Sequence, residues 1–179
     1  MQVGLPSSWM IIQRYDLAEE SVKMNYYGAE RTTEALLPLL QLSDSPRIVN
    51  VSSGAGTLKY ISNKRFNEIL SDVKSLTEEK VDEVLNEFLK DFEKDSLEIK
   101  YAAYVMSKAS MNAYTRILAT KYPKFRINAV CPGYVKTDIN YHTGHLTIEE
   151  GAISLVRLAV LPDDGPSGLF FYQQEVSSF

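Results

Sequence analysis

Two short apolar runs constrain this chain more than any other feature. "RIVNVSS" at 47–53 and "RINAVC" at 126–131 are rich in β-branched residues, too short for helices, and end abruptly in "GAG" and "PGY". Near-continuous apolar runs of this length read as strands buried on both faces, the signature of a parallel sheet. Parallel neighbours need a crossover of a dozen residues or more, usually helical. The sequence between and around the runs is patterned accordingly.

From Tyr15 to Gln41, Leu17, Val22, Tyr26, Ala29, Thr33, Leu36, Leu37 and Leu40 recur at helical intervals, with Asp16 placed to cap the start and "SDSP" to break the end. "GAGTLKYISN" reads as a loop. From Thr77, Val81, Val84, Leu85, Phe88, Leu89 and Phe92 form an apolar stripe opposite Glu, Asp and Lys, and Ser75 with Glu78 offers a capping box. Tyr104–Tyr122 predicts a helix rich in Ala and Met, stopped by Pro123. "TIEEGAISLVRLAVL" predicts another, capped by Thr147 and stopped by Pro162, and "GLFFY" a last strand. Helix, strand, helix, helix, strand, helix, strand is the rhythm of an α/β protein with a parallel sheet.

The chain has 179 residues, enough for one domain with a substantial core. A net charge of −4 argues against nucleic acid or an anionic membrane as partner, and no apolar run approaches the length of a membrane span. The opening "MQVGLPSSWMIIQRYD" lacks the pattern of a signal peptide. Cys131 is the only cysteine, so a reducing, cytosolic setting is expected. Cys131, His142 and His145 match no common zinc spacing, and Cys131 reads better as part of a buried strand.

Three stretches carry candidate chemistry. In "YVMSK", Tyr104 and Lys108 stand four apart, on one face of a helix. A free tyrosine has a pKa of about 10. A neighbouring ammonium favours the phenolate, so the pair could exchange a proton with a carbonyl oxygen. "NVSSGAG" (50–56) stands at a strand's carboxyl end, where open parallel sheets bind ligands, and a serine hydroxyl there could bond a substrate oxygen. "CPGYVKTD" (131–138) follows the next strand; Pro and Gly let backbone approach a ligand, and Thr137 offers a hydroxyl and an amide to a phosphate. Taken singly, each also fits an ordinary turn or helix surface.

In this order, strand-NVSS, helix-YxxSK and strand-PGxVxT resemble the catalytic signature of the short-chain dehydrogenase/reductase family. From about Tyr15 to Phe179 the chain is similar to the family's plant branch of terpenoid- and alkaloid-ketone reductases. The similarity is carried by "NYYGAER", "LPLLQLSDSPRIVNVSS", "LTEEKVDEVLNEFLKDF", "MNAYTRILA", "INAVCPGYVKTDIN" and "GPSGLFF". The resemblance implies a doubly wound, Rossmann-type fold and an NADP(H)-dependent oxidoreductase that interconverts a carbonyl and an alcohol on a small hydrophobic metabolite. Tyr104 would be the acid-base catalyst, Lys108 would tune it and hold the nicotinamide ribose, and Ser53 would orient the carbonyl. Asn25 would support a proton-relay water. Asn50, Val51, Pro132, Gly133, Val135 and Thr137 would lie near the cofactor.

The resemblance also implies a single domain, with residues 62–100 as an inserted helical segment of the kind found in monomeric members. The family's opening strand and T-G-x-x-x-G-x-G turn, which holds the cofactor pyrophosphate, have no counterpart in the sequence. What remains corresponds to the C-terminal part of the fold, whose sheet would expose an apolar edge. A catalytically impaired remnant that pairs with a full-length relative is therefore the alternative reading. "SLEIKYAAYVMSK" is also shorter than the same stretch in that branch, so Tyr101 either replaces a substrate-pocket residue or merely fills space.

Overall fold

A computed structural model describes residues 14–94 and 102–179. Tyr101 lies outside the described residues, as does the end of the inserted segment.

The first long helix forms where its periodicity predicts, but in three parts: α1 (Tyr15–Val22), a π-helical turn (Lys23–Tyr27) and α2 (Gly28–Leu40). Asp16 does not cap it. Arg14 occupies the cap position, and Asp16 sits in the first turn, where the Arg14 guanidinium Nε donates to its carboxylate at 2.9 Å. "RIVNV" becomes β1 (Arg47–Val51), followed by two single 3-10 turns, Gly54–Gly56 and Leu58–Tyr60.

The inserted segment supplies two helices. α3 (Lys64–Ser71), which the sequence pattern did not predict, is capped by Asn63, whose side chain accepts from the Phe66 amide at 3.1 Å. α4 (Glu78–Glu93) is capped by Thr77 accepting from the Lys80 amide at 3.3 Å. The Ser75–Glu78 box does not form, because the Ser75 hydroxyl donates to Asp72 at 2.6 Å. The predicted stripe is the buried face: Val81, Val84, Leu85, Phe88 and Phe92 are all buried. Each such side chain contributes about 1.5–3 kcal/mol of transfer free energy, which is what holds α4 to the body.

α5 (Ala102–Lys121) is buried on most sides, which is why small residues dominate it. It leads into β2 (Arg126–Cys131), then α6 (Ile148–Ala159), β3 (Phe170–Tyr172) and β4 (Glu175–Ser177). Thr147 caps α6 as predicted, in a box with Glu150.

The sheet runs β1-β2-β3-β4, the first three strands parallel and β4 antiparallel to β3. Along β2, Ile127, Ala129 and Cys131 face the α5 side, while Val130 meets Phe171 and Leu158 of α6 on the other. β2 is buried as predicted; β1 is not. Among the described residues β1 pairs with β2 alone, so only Asn50 is buried in it, and Val51 is 43% exposed. Among the described residues no helix is long and apolar enough to cross a membrane.

Candidate active site

The candidate residues converge where β1 ends against the first turn of α5. Beyond Val51 the chain continues for one residue in strand register, the Ser52 amide donating to the Val130 carbonyl at 2.7 Å. It then turns at Ser53, whose hydroxyl accepts from the Ala55 amide at 3.1 Å and so caps the Gly54–Gly56 turn. That turn lies directly on α5. A Cβ built on Gly56 would stand 2.7–2.9 Å from the Lys108 backbone and Cβ, a separation only glycine permits. The Asn112 amide locks the contact by donating to the Gly56 carbonyl at 3.0 Å.

Tyr104 and Lys108 therefore meet the strand end from above. The Lys108 ammonium donates to the Val51 carbonyl at 2.9 Å, and the Tyr104 hydroxyl lies beside the Ser53 side chain. Lys108 is 9% exposed and Tyr104 40%. Burial lowers the Lys108 pKa, opposed by the Cys131 thiol. Partial burial raises the Tyr104 pKa, outweighing the lowering effect of Ser53, and Cys131 adds to the rise. The expectation that Lys108 draws Tyr104 below its ordinary value is thus overturned: the ammonium is directed at Val51, and loss of solvation dominates at the phenol.

Asn25 lies in the π turn and reaches α5, its amide donating to the Ser107 hydroxyl at 3.0 Å. Asn50 turns inward, its amide donating to Thr115 of α5 at 2.9 Å, so its side chain braces the strand. Pro132 and Gly133 follow β2, and Gly133 adopts φ +87°, the left-handed region that favours glycine. Val135 bridges to Leu146. The Thr137 amide, expected to be free for a phosphate, is taken by the Asn140 side chain at 3.2 Å in a capping box that also engages the Thr137 side chain.

Three further residues lie near the site without a site role legible in the sequence. Cys131 influences both Tyr104 and Lys108 and lies beside Tyr172. The Tyr172 ring packs over Gly54, within 3.2 Å of a Cβ built there. Gly56 sets how closely strand end and helix approach. No short-range pattern marks any of them, since each acts through a contact between distant segments.

Comparison with known proteins agrees with this geometry. A family model described as enoyl-(acyl carrier protein) reductase matches residues 92–156. (+)-Neomenthol dehydrogenase of Capsicum annuum is 62% identical over 173 residues, covering 94% of this chain and 55% of that protein. The structure of salutaridine reductase from Papaver somniferum matches with a TM-score of 0.85 at 59% identity, over 88% of this chain and 55% of that one. Carbonyl reductase (NADPH) 3 of Rattus norvegicus is 35% identical over 166 residues, covering 82% of this chain and 56% of that protein. The chain belongs to the short-chain dehydrogenase/reductase family and is similar to plant members of it. It spans somewhat more than half the length of the curated relatives it matches, and its sheet is the C-terminal part of their doubly wound fold.

Proposed function

We propose that the chain carries the proton-transfer half of a carbonyl–alcohol oxidoreductase, acting with NADP(H) on a small hydrophobic ketone of the terpenoid or alkaloid class. The observation that carries this reading is the meeting of Tyr104 with Ser53 at the end of β1, beside a Lys108 ammonium fixed on Val51.

Lys108 spends one N–H on the Val51 carbonyl and keeps two donors for ribose hydroxyls. With Val51 below and Pro132, Gly133, Val135 and Thr137 across the strand ends, it suits the nicotinamide end of the cofactor. When bound, the reduced nicotinamide supplies the hydride. Ser53 holds the carbonyl oxygen, and Tyr104 gives that oxygen a proton as the carbon is reduced. A phenol whose pKa lies above its ordinary value is protonated at neutral pH, the form a proton donor to the carbonyl oxygen needs. NADP(H) as cofactor and the ketone class rest on the named relatives.

Saturable NADPH binding, followed by nicotinamide fluorescence, together with ketone-dependent oxidation of the bound cofactor, tests the reading. Absence of binding at millimolar NADPH would exclude it. A second reading is favoured by the margin of β1, where Ile48 and Val49 are only half-buried. There the chain would be an impaired remnant that pairs with a full-length relative through that strand. Co-elution with such a relative, abolished by Val49→Lys, would support it.

A further inference from the structure

We propose that Ser107 is a positioning residue, whose hydroxyl ties the Asn25 side chain to the backbone of Tyr104 and so sets the first turn of α5 against the π turn. The inference rests on the reading of Tyr104 as the proton-transfer group.

Ser107 is fully buried, and two of its three polar neighbours, Asn25 and Tyr104, are candidate site residues. Its hydroxyl donates to the Tyr104 carbonyl at 3.0 Å and accepts from the Asn25 amide at 3.0 Å. Ser21 Oγ lies 3.3 Å from it and 3.5 Å from Asn25 Nδ2. A hydroxyl has one proton and two lone pairs. With the proton on the Tyr104 carbonyl, both lone pairs face α1 and the π turn, where Asn25 and Ser21 supply donors. The group is saturated, and its bonds run in one direction, from Asn25 through Ser107 to Tyr104.

The geometry around this chain of bonds explains its use. Tyr104 stands in the first turn of α5, where helix ends fray unless other groups restrain them. On the strand side the turn is held by the Lys108 ammonium on Val51 and by Ser52, whose hydroxyl reaches the Lys108 carbonyl at 3.5 Å. Ser107 is the matching anchor on the helix side. The π turn (Lys23–Tyr27) that carries Asn25 is a local distortion of a kind concentrated at functional sites, and here it directs Asn25 to Ser107. An ordinary buried serine bonded to the carbonyl three residues back needs no such partner.

The test reads the Tyr104 phenol by carbon-13 NMR in tyrosine-labelled protein, with Tyr104→Phe identifying the resonance. Ser107→Ala and Asn25→Ala are each expected to move its titration midpoint down toward about 10, because a loosened turn admits water. The shift expected is roughly half a pH unit, the size of one weak hydrogen bond. The double variant is expected to shift no further than the larger single one, since both act through one connection. An unshifted midpoint in either folded variant, or shifts that add, overturns the proposal. Should Ser107→Ala fail to fold, Asn25→Ala carries the test alone. The titration can be read whether or not the chain turns over a ketone, so the two readings can fail separately.

Discussion

Gly56 lies so close to Lys108 that a single added methyl group would stand 2.7 Å from the lysine's backbone carbon. The contact joins the turn after β1 to α5, and it decides where the lysine ammonium can reach. Gly56→Ala must push the two apart, at a cost of about 1–3 kcal/mol for overpacking. Denaturant unfolding should show that loss. Gly54→Ala should lose less, because its new methyl meets only the edge of the Tyr172 ring at 3.2 Å.

Tyr104 should resist ionisation. Burial raises its pKa above the ordinary 10.0, so the folded state keeps a proton that the unfolded chain releases near pH 10. The resulting stability is present below that pH and is lost as pH rises through the folded value. In a 295 nm titration, the difference between the wild type and Tyr104→Phe should place this phenol above 10.

Glu30 gives a second pH dependence, away from the site. Burial and then the Asp82 carboxylate raise its pKa to about 7. Its folded value again exceeds the unfolded one, so its contribution to stability is full below pH 4.5 and is lost as pH rises through about 7. Glu30→Gln should flatten that slope in melting curves taken between pH 5 and 8. Glu34, Glu78 and Arg31 also act on this carboxyl, and the two glutamates add to its rise.

α4 should depend on its aromatic anchors. Phe88 is 2% exposed and packs against Phe92 with the rings tilted and their centroids 5.7 Å apart. Phe88→Ala should cost about 3–5 kcal/mol, measured by urea unfolding.

What could be read from the residues, and what could not, divides along physical lines. The stripe of α4, the Thr147–Glu150 cap and buried β2 depend on periodicity or neighbouring side chains, and the sequence displays both. β1 was misread as buried because an apolar run shows what a strand tolerates on its faces and says nothing about which strands flank it. β4 went unseen because its hairpin turns at Gln173, with φ 55°, where no Asn-Gly or Asp-Gly pair announces a turn. The family motif put forward Tyr104, Lys108 and Ser53, and the fold brings the three to the end of one strand. The spacing that joins Tyr104 to Lys108 gave the wrong direction for the phenol, because where the ammonium points is decided by Val51, far along the chain. Gly56 and Ser107 act through similar distant contacts.

The most direct measurement is ketone-dependent NADPH oxidation by the wild type and by Tyr104→Phe, with cofactor binding followed in parallel. If Tyr104 delivers the proton, the variant should bind NADPH as the wild type does and turn over at least about 100-fold more slowly, the usual contribution of a positioned acid. Equal turnover by the two proteins would contradict the assignment of Tyr104.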